Sequence, residues 1–168
     1  VGGAAMTDVD TLSKASGGSV TQEGVAKNGV KAGQACGKLN WTWGEIAATG
    51  GNNVNDLMVK LGLGKGDIDN TDGWAYIELD AAAKKGVTAK AGSDDSIKIW
   101  LNGKVVHKNA VDRGAGDFQD TFKVDLIDGI NRLLVKVGEK GGGWSMFVGI
   151  DANYNVVDFK VDVIEGCI

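Results

Sequence analysis

The chain has no proline, one histidine and two cysteines in 168 residues. The single histidine, His107, excludes a zinc site built on two histidines. The cysteines, Cys36 and Cys167, lack CxxC spacing, which excludes a zinc ribbon or an iron–sulfur cluster. No apolar stretch approaches ~18 residues, so neither a transmembrane helix nor membrane insertion is expected. Basic runs are absent and the formal net charge is -4, which makes nucleic acid a poor partner. Neither a GxSxG elbow nor an SxxK pair occurs, so no activated nucleophile is visible and the chain reads as a non-enzyme. No signal peptide is expected, and the opening at Val1 without an initiator Met reads as that of a mature or trimmed chain.

Glycine, by contrast, is abundant at 27 residues, more than twice the usual ~7%. Without Ser/Pro low complexity, that points to many tight turns between short strands. Hydrophobic residues at 43% and charged residues at 24% are those of an ordinary globular domain. Length and composition predict a single domain over residues 1–168.

The pattern along the chain is mostly that of strands. Residues 7–15 read as a short helix capped by Thr7 or Asp8, and residues 53–61 as a second helix. Between 19 and 34, Val20, Val25 and Val30 among Gly and Lys suggest weak strands. Leu39, Trp41 and Trp43 share one face at a period of two. Strands follow at 74–79, 87–91, 97–101, 104–107, 121–126, 131–137, 144–150 and 156–164. Asn102-Gly103 is a type I′ hairpin turn. Strands at turn spacings near ten residues, with no βαβ rhythm, predict an all-β antiparallel β-sandwich of jelly-roll type.

Oxygen ligands are plentiful and soft ligands are scarce, so calcium is the expected metal. Asp94-Asp95 is one candidate; the alternative is that Asp95 caps a turn and Asp94 bonds backbone amides in it. Asp67, Asp69 and Asp72 form a second. They imitate an EF-hand loop with Glu78 at the twelfth position, but Asp72 stands where that loop needs glycine and a strand follows, so an EF-hand is rejected. A non-EF calcium loop or a plain Asx-rich turn remains. Asn52, Asn53, Asn55 and Asp56 read as a helix cap. Among five tryptophans, Trp100 and Trp144 are candidate sugar platforms, with core packing as the alternative. Trp100 points away from the face shared by Ile97 and Ile99, together with Lys98. Cys36 and Cys167 are either free thiols or one disulfide, which would stabilise the chain by roughly 4–5 kcal/mol and imply an oxidising compartment. Arg113 with Asp117 and Asp120 reads as a salt-bridged loop.

Residues 92–107, G-S-D-D-S-I-K-I-W-L-N-G-K-V-V-H, resemble a segment of secreted bacterial jelly-roll modules of the Poribacteria and Planctomycetes type. Such modules accompany carbohydrate-active enzymes, adhesins and large surface proteins. Val111–Gly114, Gln119-Asp120, Asp128–Val137 and Gly141–Trp144 continue the likeness. More distantly, the segment is similar to the lectin-like domain of anthrax protective antigen and yeast flocculins. Lectin members of that group hold calcium, and through it sugar hydroxyls, with a paired Asp-Asp before a strand; Asp94 and Asp95 match that place. Further lectin ligands come from a later loop that does not align here. The resemblance implies a secreted or cell-surface, non-catalytic glycan-binding module within a larger protein, with calcium at Asp94-Asp95 and with Trp100, Trp144 or Asn102 at the sugar. The rival expectation is a structural or adhesive spacer.

Overall fold

The computed structural model describes residues 3–44, 53–62, 69–116 and 118–165. Asp67, Asp117 and Cys167 lie outside them. Nine strands are described: β1 (Thr42–Trp43), β2 (Thr71–Ala81), β3 (Lys84–Asp94), β4 (Ile97–Leu101), β5 (Lys104–Asn109), β6 (Asp120–Leu126), β7 (Gly129–Glu139), β8 (Ser145–Ile150) and β9 (Tyr154–Glu165). They form two antiparallel sheets, ordered β1-β9-β2-β7-β4-β5 and β6-β3-β8. The nesting of β2 with β9, β3 with β8 and β4 with β7 is jelly-roll connectivity. The all-β sandwich expected from the strand spacing is therefore present.

Strand parity sorts the core into two layers. Ala75, Ile77 and Leu79 of β2 join Ile97, Ile99, Val135 and Val137 against β3, β6 and β8. Trp74, Tyr76, Trp100 and Leu134 point the other way. That second face is not open to water. Residues 3–44 wrap across it, and Met6, Leu12, Val25 and Trp41 pack onto the rings. A sheet covered on both faces explains why Trp74–Ile77 of β2 and Leu133–Val135 of β7 are apolar at successive positions.

The wrap is built from a 3-10 turn (Gly3–Met6), α1 (Thr11–Ser16) and α2 (Gln22–Asn28). The cap of α1 is Asp10, not Thr7 or Asp8: one oxygen accepts from Ser13 N at 3.0 Å, and the other accepts from Gln22 N at 3.1 Å. One carboxylate thus ties the starts of both helices. The strands expected over 19–34 are replaced by α2, whose cap Thr21 accepts from Gly24 N at 3.0 Å. This cap and the packing of Val25 and Ala26 outweigh the poor helix propensity of Gly24 and Val25. α3 (Asn53–Lys60) lies beside β8, where Asn53 exchanges two 2.8 Å hydrogen bonds with the Met146 backbone.

The Asn102-Gly103 turn has both residues at positive φ, 50° and 83°, as type I′ requires. The alternation expected through Trp41 and Trp43 fails because Asn40 and Trp41 are left-handed, with φ of 47° and 43°. The chain reverses there, and only Thr42–Trp43 pairs with β9. Cys36 is a free thiol, so the expected Cys36–Cys167 disulfide is corrected. Its Sγ donates to Leu12 O at 3.5 Å.

Candidate functional site

The Asp94-Asp95 pair lies where β3 ends and β4 is about to begin, so two carboxylates meet at a chain crossing between the sheets. The peptide joining them is cis. Asp95 is buried, and its Oδ1 accepts from Arg113 N at 3.0 Å while Oδ2 accepts from Lys140 N at 2.9 Å. Asp95 N donates to Gly138 O at 2.9 Å, and Ser93 Oγ donates to Asp95 O at 2.7 Å. One residue thereby stitches the β3–β4 link to the loop after β5 and to the turn after β7. The turn alternative gave the backbone amides to Asp94; it is Asp95 that accepts from two of them.

A third carboxylate joins them. Glu139, fully buried at the end of β7, brings an oxygen close to the pair, so that one ligand atom from each of Asp94, Asp95 and Glu139 lies within 4.8 Å of the others. Like charges this close repel, and a cation or a shared proton relieves the repulsion. The pair borders an open hollow of about 540 Å³, lined also by Asp112, Arg113, Lys140 and the glycine turn at Gly141 and Gly143. Asp112 accepts from Ala4 N at 2.8 Å and faces Lys140 Nζ at 3.5 Å.

Behind the hollow, Arg113 leads to a second polar cluster. Its guanidinium pairs with Asp120 through two hydrogen bonds of 2.9 and 2.8 Å, and it also donates to Ser93 O and Ser93 Oγ. His107 Nε2 lies 2.9 Å from Asp120 Oδ2, with its ring stacked on Phe122 at 4.6 Å. The hydrogen bonds from Arg113 dominate and hold the Asp120 carboxyl down at about 2; burial opposes them, and the bond to His107 adds to them. The expected salt bridge of Arg113 with Asp120 is present. It fixes the loop that delivers Arg113 N to Asp95.

Of the second acidic candidate, Asp67 lies outside the described residues, and Asp69 and Asp72 differ in burial. Asp72 lies within β2 and is completely buried. It shares parity with Trp74 and Tyr76, so it faces the helical wrap rather than a loop. Its Oδ2 accepts from Thr11 Oγ1 at 2.7 Å and lies 3.4 Å from Lys136 Nζ. Asp72 is half of a buried ion pair, which corrects its assignment to a calcium loop. Asp69 is exposed beside the glycine turn, its Oδ1 3.7 Å from where a Cβ on Gly141 would stand.

The sugar platforms expected at Trp100 and Trp144 are corrected as well. Trp100 does point away from Ile97 and Ile99, but the wrap covers that face. Its ring stacks on Trp74 at 5.8 Å, with Lys98 Nζ 5.1 Å above it. Trp144 is buried against Gly73 and donates from Nε1 to Val137 O at 3.3 Å. Asn102 spends its side chain on the fold: Nδ2 donates to Asn131 Oδ1 and Oδ1 accepts from Arg132 N, both at 2.9 Å. The exposed ring is Trp43, at 60%, whereas Trp41, Trp74, Trp100 and Trp144 are each at 2% or less.

Sequence reasoning missed Glu139 and Trp43. Glu139 closes β7, and its approach to the pair depends on long-range sheet register that no local pattern displays. Comparison with family models, curated proteins and solved structures returned no match.

Proposed function

We propose that this chain is a non-catalytic glycan-binding module of a larger secreted or cell-surface protein, and that calcium organises its sugar site. One observation carries the reading: Asp94, Asp95 and Glu139 converge within 4.8 Å beside an open hollow. Three hard carboxylates are donors of the kind that calcium prefers, and calcium keeps coordination positions for outside oxygens. In this reading Asp94, Asp95 and Glu139 would hold the ion, while the backbone hydrogen bonds of Asp95 keep the loops in place. The ion would offer open coordination positions to the vicinal hydroxyls of a sugar.

A second reading, a structural or adhesive spacer, draws on two observations. Four of the five tryptophans are buried, and both Asp95 oxygens already accept backbone hydrogen bonds. In that case any calcium only braces the loops.

A glycan array probed in calcium and again in EDTA separates the readings. Calcium-dependent binding that Asp94→Asn abolishes, with the fold intact by circular dichroism, supports the lectin. Absence of glycan binding in both buffers supports the spacer.

A further inference from the structure

We infer that the groove beside Trp43 is a second sugar subsite, independent of calcium, that takes the apolar face of a neutral pyranose; the inference rests on the glycan-binding reading above. Trp43 is placed outward by a specific backbone device. The Asp162 carboxylate accepts from Gly37 N at 2.8 Å and Leu39 N at 3.1 Å, anchoring the loop that leads to β1. The left-handed turn at Asn40 and Trp41 then sends Trp41 into the core and Trp43 to the surface. On the edge strand, Trp43 pairs in register with Lys160 of β9.

The ring's orientation is set from one side. Lys160 Nζ lies 5.0 Å from the Trp43 ring and 5.7 Å from the Tyr76 ring, and it is bonded to Asp158. Lys160 is itself buried, so this is a fixed ammonium rather than a mobile surface lysine. The groove measures about 500 Å³, and its polar lining includes Asn28, Lys31, Gln34 and Glu78. Tyr76 donates to Glu78 Oε1 at 2.8 Å.

These features select a ligand class. An exposed indole offers a flat apolar face, while amides, a carboxylate and ammonium groups around it offer both donors and acceptors. A pyranose matches, with C–H groups on its face and hydroxyls at its edge. Charges of both signs surround the ring, Lys31, Lys160 and Arg132 with Glu78 and Asp158, and Lys160 is already paired with Asp158, so the hydroxyls of a neutral sugar find donors and acceptors without a further ion pair. A cationic ligand is disfavoured further because Lys160 already occupies the ring.

The test uses cellohexaose and mannohexaose as probes. Acrylamide quenches exposed indole selectively, so in this protein it reads Trp43. Either hexasaccharide is expected to protect that fluorescence, equally in calcium and in EDTA. Trp43→Ala is expected to weaken binding by about tenfold or more without changing the melting temperature, and Gln34→Ala to weaken it by a smaller factor. If Trp43→Ala binds as wild type while EDTA or Asp94→Asn abolishes binding, the subsite is overturned and the glycan reading stands. If neither sugar binds any form of the protein, both are overturned.

Discussion

Lys136 gives the strongest prediction about what holds the two halves of the fold together. Its ammonium is 2% exposed and lies under the helical wrap. It donates to Met6 O, to Val9 O at 2.7 Å and to Thr7 O at 3.4 Å, and it faces Asp72 Oδ2 at 3.4 Å. Trp74 lies 5.3 Å beneath it. At an effective dielectric constant near 20, unit charges at this separation attract by about 5 kcal/mol. Desolvation offsets much of that, so the pair adds little net stability while intact, yet breaking one side is costly. Lys136→Met should therefore destabilise the fold by about 3–5 kcal/mol, which for a domain of this size is a fall of roughly 6–20 °C in melting temperature. Asp72→Asn keeps the volume and the Thr11 contact and should cost about 1–3 kcal/mol. The double variant should cost less than the sum, with a coupling of at least about 1 kcal/mol. Urea unfolding of all four proteins, followed by tryptophan fluorescence, measures the cycle. A Lys136→Met cost below about 1 kcal/mol, or strict additivity, would refute the claim that this lysine pins the wrap through Asp72.

Asp120 should govern acid stability. Its carboxyl is held at about 2, below the ~3.9 of an unfolded chain, so its contribution is present above pH ~4 and lost as pH falls toward 2. The amount is about 2 kcal/mol, and Asp120→Asn should flatten the urea-stability profile across that window. Cys36 should be unreactive: burial, then the charges of Asp162 and Asp10, push its thiol up to about 12. In a Cys167→Ser background, iodoacetamide at pH 8 should label the native protein at least about a hundredfold more slowly than the unfolded chain. A Cβ on Gly73 would meet Trp144 Cζ2 at 2.7 Å, so Gly73→Ala should cost about 1–3 kcal/mol by displacing the ring. Trp144→Ala should cost about 3–5 kcal/mol, while Trp43→Ala should stay within about 0.5 kcal/mol; chemical denaturation ranks all three.

The strands from residue 71 onward were legible because alternation and turn chemistry agreed there. Asn102-Gly103 fixed one hairpin, and the largely apolar stretch at 131–137 marked a central strand. The N-terminal wrap was not legible in the same way. Its valines at 20, 25 and 30 fit neither period, and α2 forms through the Thr21 cap and contacts with a sheet far away in sequence. Parity correctly put Trp100 and Lys98 on one face, but parity says nothing about what covers that face. Asp72 shows the same lesson in reverse: a run of acids suggested one loop, while its parity with Trp74 and Tyr76 places it inside. Glu139 reaches Asp94 and Asp95 only through sheet register across some 45 residues of chain, which no local pattern displays. Trp43 escaped because alternation was carried through Trp41, where the backbone turns left-handed.

The calcium-organised site is tested most directly by titrating calcium into EDTA-stripped protein in a calorimeter. The account predicts binding at a single site in the ~0.1–1 mM range common for extracellular calcium modules, lost in Asp94→Asn and in Glu139→Gln, each of which retains its fold by circular dichroism. Absence of calcium heat at millimolar concentration, or a heat that both variants keep, would contradict it.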